Sequence, residues 1–139
     1  VLLMIRGILS VIVGLLAGSA VARLLQWIGQ RFYPEPAGVD LQSLEALQQY
    51  VATAPTGMLL SILAAWAGGA FAGGLVAALL SERRRGLHAL AVGALQAALA
   101  IALFTMIPHP AWFMLLGVSL FLPLAGLGGL VVGREPGSG

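Results

Sequence analysis

The feature that most constrains the fold is an apolar run at residues 59–85, LLSILAAWAGGAFAGGLVAALLSERRR, which ends abruptly at three arginines. Small side chains recur along it at every fourth residue. They form two neighbouring stripes, Ala65, Gly69, Gly73, Ala77 and Ala64, Gly68, Ala72. In lipid, such stripes let two helix backbones approach closely, and arginines hold the end of a helix at one side of the bilayer. The run therefore predicts a transmembrane helix that packs closely against its neighbours.

The composition extends this prediction to the whole chain. Of its 139 residues, 60% are hydrophobic and only 9% are charged, and the mean hydropathy is +1.00; soluble domains carry about 25% charged residues. We therefore expect one integral membrane domain whose first partner is the lipid bilayer. The net charge of +2 comes from arginines at predicted membrane edges, so it indicates topology rather than a nucleic-acid partner. Without cysteine, the chain offers no disulfide or thiolate metal site.

Four stretches have the length of about 20 residues that a spanning helix needs. They predict an all-α membrane bundle in a single domain, residues 1–135, followed by a flexible tail at 136–139; the spans lie at about 7–28, 56–80, 87–107 and 111–132. A signal peptide is an alternative for the first stretch, because Ala20-Val21-Ala22 resembles a cleavage site. Apolar residues continue past Arg23 to Ile28, which favours a span.

The connection between the first two spans is the longest polar segment. Pro34 and Pro36 disfavour helix there. Asp40 is predicted to cap a short amphipathic helix over residues 41–52, since leucines and Val51 share one face and Gln and Glu share the other. That helix is too short to span, so we expect it to lie on the outer membrane surface.

Small residues mark the predicted helix contacts. Gly14 and Gly18 of the first span could meet Gly69 and Gly73 of the second, and Gly129 supplies a small surface in the fourth. The third span carries two stripes of its own, Ala89, Gly93, Ala97 and Ala94, Ala98, Ala102. Trp66, near the middle of the second span, is expected to pack between helices, and Pro123 is expected to kink the fourth.

Two polar side chains fall inside spans. Arg23 is expected to extend its guanidinium group to the nearby headgroups while its aliphatic stem stays in lipid, and the alternative is a buried ion pair with Glu35, Asp40 or Glu45. Gln96 is expected to bond across to a neighbouring helix, and the alternative is a transport site.

Arginine placement predicts the orientation. With both termini cytoplasmic, the inner side carries Arg6, Arg83, Arg84, Arg85 and Arg134, as the positive-inside rule requires. Trp27, Phe32, Tyr33, Trp112 and Phe113 then fall at the outer interface, where aromatic rings collect. Arg83, Arg84 and Arg85 could also contact anionic lipid headgroups, although a topology anchor needs no ligand.

No pattern for catalysis, a metal or a cofactor is present in the sequence. His88 and His109 fall at opposite faces of the predicted bundle, so they cannot share a metal. His109, between two prolines, is expected to be a solvated loop residue, and pairing with an acid of the first connection is the alternative. The glycines are expected to serve helix packing, because no phosphate-binding glycine loop precedes a soluble helix.

Four motifs in this order resemble a group of small bacterial four-helix membrane proteins of no assigned activity: Gly18-Ser19, YPEPAGVD (33–40), AWAGGAFAGG (65–74) and IPHPAWF (107–113). The resemblance implies the four-helix topology and a bacterial origin. The expected location is therefore the inner membrane of a bacterium. Some members carry polar side chains where this chain has Ala22 and Trp66, so an activity that used those groups would be absent here.

The sequence thus favours a non-enzymatic membrane protein that packs as a homo-oligomer or as an accessory subunit of a larger membrane complex. The alternative is a small oligomeric transporter or channel. Against it, no carboxylate lies within a predicted span, and the two halves of the chain do not resemble each other.

Overall fold

A computed structural model describes residues 1–35, 38 and 40–133 of the chain. Arg134 and the predicted flexible tail at 136–139 lie outside the described residues, as does Pro36 of the first connection. The described part of the chain contains helices joined by short turns and connections, with no β-strand.

Five helices follow one another along the chain: α1 (Leu2–Gln30), α2 (Leu44–Ala52), α3 (Thr56–Leu80), α4 (Arg85–Met106) and α5 (Ala111–Val132). All except α2 are long and apolar enough to cross a membrane. The predicted all-α class and the four apolar helices are confirmed. The bounds of α1 differ most from the predicted span, because the helix begins at Leu2 and not after Arg6. The side chain of Arg6 bonds to the end of α3.

The helix in the first connection begins later than the sequence predicts. Asp40 does not cap it, because its carboxylate Oδ1 accepts from the backbone N–H of Gln42 and closes a turn instead. Ser43 is the N-cap, with its Oγ accepting from the N–H of Ala46 at 3.5 Å. Gln48 of α2 donates to the carbonyl oxygen of Met106 at 3.0 Å, so one side-chain hydrogen bond links this helix to the end of α4.

Helix α3 occupies the centre of the bundle and contacts α1, α4 and α5. Its stripe of Ala65, Gly69, Gly73 and Ala77 is buried. The other predicted stripe is not the second packing face: Ala64 is exposed, and Gly68 and Ala72 are only half-buried. A third series, Ala70, Gly74 and Ala78, is buried in its place. Small residues flank the first stripe on both sides, so periodicity alone could not decide which side α5 covers.

Helix α5 packs on both α3 and α4 through small residues. A Cβ on Gly74 would collide with the backbone of Ala125, and one on Gly128 would collide with the backbone carbonyl of Phe71. A Cβ on Gly93 of α4 would lie 2.7 Å from the carbonyl oxygen of Phe121. Helix α5 continues through Pro123, whose ring is exposed.

Candidate functional site

Helices α1 and α3 contact each other directly through their backbones. A Cβ on Gly14 would lie 2.7 Å from the carbonyl oxygen of Gly73, and one on Gly73 would lie 2.9 Å from that of Gly14. Gly18 and Gly69 face each other in the same reciprocal way. Because real Cβ atoms do not approach backbone oxygens this closely, only glycine fits here. The structure thus brings together the four glycines that the sequence singled out in these helices.

Gln96 of α4 lies beside this glycine contact. Its Nε2 donates to the carbonyl oxygen of Gly69 over a long 3.5 Å, and a Cβ on Gly18 would fall 2.8 Å from that nitrogen. The Oε1 atom is buried and has no partner among the described residues. Gln96 therefore places one amide at the junction of α1, α3 and α4, with its acceptor unused.

Gly129 serves the same kind of contact between α5 and α4. A Cβ on Gly129 would lie 2.8 Å from the side chain of Ala89. The residue is buried, and the neighbouring Gly86 backbone lies close by. Its contact is therefore within the bundle, near the turn that joins α3 to α4.

The turn between α3 and α4 carries a polar cluster that ties it to α1. Arg6 forms an ion pair with Glu82, with 2.6 Å between Nη1 and Oε1, and its Nε donates to the carbonyl oxygen of Leu80 at 3.2 Å. Beneath it, Ser10 and Ser81 share a buried hydrogen bond of 3.0 Å. We call this end of the bundle, with Arg6, the turn and the start of α4, the arginine end.

Sequence analysis missed this cluster, although a signal was present. Arg6 precedes the first span and Glu82 follows the second, so antiparallel neighbours bring the opposite charges to one end. Ser10 and Ser81 gave no separate signal, because each could equally have bonded within its own helix. Each hydroxyl also lies within hydrogen-bond distance of a carbonyl oxygen of its own helix, Gly7 for Ser10 and Ala77 for Ser81. Because a hydroxyl has a single hydrogen, one serine donates to its own helix and the other donates across to it.

The three consecutive arginines have different surroundings. Arg85 begins α4 and donates from Nε to the carbonyl oxygen of Ser81 at 3.2 Å. Arg83 and Arg84 are exposed, and neither forms a salt bridge with the described residues. Arg84 also adopts φ +54°, a left-handed conformation that is uncommon for residues other than glycine. The turn therefore presents two guanidinium groups that have no acidic partner among the described residues.

Arg23 is not part of this cluster. Its side chain is exposed, and among the described residues it forms no ion pair with Glu35, Asp40 or Glu45. The structure therefore contradicts the alternative of a buried ion pair for Arg23.

At the opposite end, aromatic rings join α3, α4 and α5. The ring centroid of Trp66 lies 5.3 Å from that of Phe113, 5.7 Å from that of Phe121 and 6.0 Å from that of Phe104. Phe113 is fully buried, so its ring packs inside the bundle and does not face outward. Exposed Trp112, its neighbour, is the ring of this pair that faces outward.

His109 belongs to this aromatic cluster and is half-buried rather than solvated. Its ring stacks on Phe113 at 4.9 Å between centroids, and its Nδ1 lies 2.7 Å from the carbonyl oxygen of Ile107. Burial lowers the pKa of His109 below its ordinary value of 6.5, although the bond to Ile107 acts in the opposite direction. Burial therefore favours the neutral form of the imidazole.

These groups limit what chemistry the described residues can perform. No three His, Asp or Glu side chains among them come together as metal ligands. The polar groups of the arginine end are suited to holding an anion, because guanidinium groups form strong charge-assisted hydrogen bonds to phosphate.

The four apolar helices, their glycine contacts and this polar end define the class: a multi-pass helical membrane protein. Compared with models of known protein families, with curated proteins and with solved structures, the chain matches none.

Proposed function

We propose that the chain is a non-enzymatic membrane protein that packs as a homo-oligomer or as an accessory subunit of a larger membrane complex. The observation that carries this proposal is an unused small-residue face on α4. Ala94, Ala98 and Ala102 recur at every fourth residue, and all three are exposed. Helices associate in lipid through close packing of small residues, so this stripe offers a contact for a helix of another chain.

The proposed location is the inner membrane of a bacterium, with both termini in the cytoplasm. Arg6, Arg83, Arg84 and Arg85 lie at one end of the bundle, which supports a cytoplasmic arginine end. Trp27 and Trp112 are exposed toward the opposite end, where a membrane interface favours such rings. Helix α2 would then lie on the outer surface, and the three arginines of the turn would meet anionic headgroups.

Native mass spectrometry after gentle purification tests the assembly. The wild type should appear as an oligomer or with a bound partner, and Ala98→Leu should release the single chain because the larger side chain holds a neighbouring helix away. Ala20→Leu is the matched control. Ala20 is exposed on α1, but Leu16 and Leu24 beside it already prevent close approach there. A wild type that is always a single chain would contradict the proposal.

A small oligomeric transporter or channel is the second candidate, and one observation favours it. The unpartnered Oε1 of Gln96 provides a buried polar acceptor in the middle of the bundle. Substrate flux in liposomes that is lost in Gln96→Leu, from a protein that native mass spectrometry shows as a homo-oligomer, would establish the transporter and reject the role of accessory subunit.

A further inference from the structure

A groove of about 650 Å³ runs along the bundle between α1 and α4, starting at the arginine end. Its walls are aliphatic, with Ile8, Ile12 and Leu15 from α1 and Leu87 and Leu95 from α4. The volume is within the range of about 300–1,000 Å³ that ligand sites occupy. A groove of this shape is suited to an extended apolar chain.

The mouth of the groove is cationic. Arg6, Glu82, Arg83 and Arg84 line it, so three arginines face one acid. Because Glu82 pairs with Arg6, the charges of Arg83 and Arg84 are left without an acidic partner in the described part of the chain. The mouth therefore complements an anion.

His88 adds a polar group at the same place. It lines the groove beside Gly7, where a Cβ would lie 2.7 Å from its Nε2. Its Nδ1 is buried and lacks a hydrogen-bond partner among the described residues. Because this atom is buried, His88 forms part of the wall of the groove, and the charge at the mouth comes from the arginines.

From these observations we infer that the groove binds one anionic glycerophospholipid. Arg83 and Arg84 hold its phosphate at the mouth, and one acyl chain lies between α1 and α4. The apolar walls require a chain, and the unpaired arginines require a negative headgroup, so neither a zwitterionic lipid nor a free phosphate satisfies both parts. This inference rests on the proposed membrane location and does not depend on the proposed assembly.

Native mass spectrometry with added lipid tests the headgroup. We expect the purified protein to retain palmitoyl-oleoyl phosphatidylglycerol in preference to palmitoyl-oleoyl phosphatidylcholine. Each basic residue near a membrane surface contributes roughly a fivefold preference for anionic lipid, so Arg83→Gln and Arg84→Asn should each reduce the ratio by about that factor. Asn is chosen at residue 84 because it tolerates the left-handed backbone. Arg31→Gln, beyond the other end of α1, is the control and should leave the ratio unchanged.

A second pair of variants tests the acyl chain. Leu95→Trp narrows the groove and should reduce retention of phosphatidylglycerol, whereas Leu99→Trp, on an exposed part of α4 outside the groove, should not. Glycerol phosphate, which has no acyl chain, should not displace the lipid at equal concentration.

Three results would overturn the inference: equal retention of the two lipids, a ratio that Arg83→Gln and Arg84→Asn leave unchanged, or displacement by glycerol phosphate. The same spectra report the number of protein chains separately from the lipid adducts. A single chain that retains phosphatidylglycerol selectively therefore contradicts only the assembly, and an oligomer without selectivity contradicts only the lipid site.

Discussion

Gly18 of α1 and Gly69 of α3 bring the backbones of the two helices into direct contact. A Cβ on Gly18 would lie 2.6 Å from the carbonyl oxygen of Gly69, and a Cβ on Gly69 would lie 2.7 Å from that of Gly18. The relationship is reciprocal, so neither residue can gain a side chain unless α1 and α3 move apart. Since Gln96 bonds to the carbonyl oxygen of Gly69, such a movement would also disturb α4.

We expect Gly69→Ala to lower the free energy of unfolding by about 1–3 kcal/mol, the usual cost of overpacking. The added methyl group would meet the backbone of Gly18 and the side chain of Ala22. Gly86→Ala is the matched control, because nothing lies within 4 Å of the position of its Cβ. Thermal unfolding in detergent measures both changes. If the two variants are equally stable, the close contact of α1 with α3 is wrong.

The buried bond between Ser10 and Ser81 gives a second prediction. Ser10→Ala removes the bond between helices while Ser81 keeps its bond to Ala77, so no hydroxyl loses all its partners. We expect a loss of about 0.5–1.5 kcal/mol in the free energy of unfolding.

Ser119 provides the control for this change. Its Oγ is exposed and bonds to the carbonyl oxygen of Leu115 within the same helix, so Ser119→Ala should stay within about 0.5 kcal/mol of the wild type. Denaturation of the two variants in the same detergent allows the comparison. A larger loss for Ser119→Ala would contradict the importance assigned to the bond between helices.

His109 predicts a dependence of stability on pH. Burial lowers its pKa in the folded protein below 6.5, so the unfolded chain takes up the proton first as the pH falls. The contribution of neutral His109 is present above pH 6.5 and is lost as the pH falls through the lowered pKa. Thermal unfolding of the wild type and of His109→Gln between pH 8 and pH 5 measures it. The difference between them should shrink on acidification, and His88, present in both, cancels; a constant difference would contradict the prediction.

Accessibility of single cysteines tests the orientation. The chain has no cysteine of its own, so Gln42→Cys and Gly86→Cys each introduce one exposed thiol at opposite ends of the bundle. An impermeant thiol reagent applied to intact cells should label Gln42→Cys and not Gly86→Cys. Gln42 is chosen over Gly38 because Gly38 adopts φ +81°, which disfavours a side chain. Labelling of Gly86→Cys alone would reverse the topology.

Much of the fold could be predicted because membrane spans depend on local composition. A helix in lipid must satisfy its own backbone hydrogen bonds, so a long apolar run already specifies a helix and its approximate ends. The first connection was less predictable. Asp40 and Ser43 are both good caps, and only the structure shows that Asp40 closes a turn with Gln42 and leaves Ser43 as the cap.

The candidate site was predictable only in part. The run of arginines was visible in the sequence, but their different roles were not, since only the turn geometry leaves Arg83 and Arg84 exposed while Arg85 bonds back to Ser81. His88 gave no signal beyond its residue type. His88 is notable because it contacts Gly7, which lies 81 residues earlier in the chain. The contact exists only because the chain brings α4 back beside α1.

The sequence by itself determined the helical class, the four apolar helices and the glycines that permit close packing, because each depends on the spacing of residues within one segment. Only the tertiary structure decided which face of α3 packs against α5 and that Phe113 is buried beside Trp66. It also decided that α1 and α4 leave a groove with a cationic mouth. In lipid, no hydrophobic effect drives helices together, so an inward-facing side of a helix is not more apolar than an outward-facing side. The choice among several small faces therefore depends on how all four helices fit together.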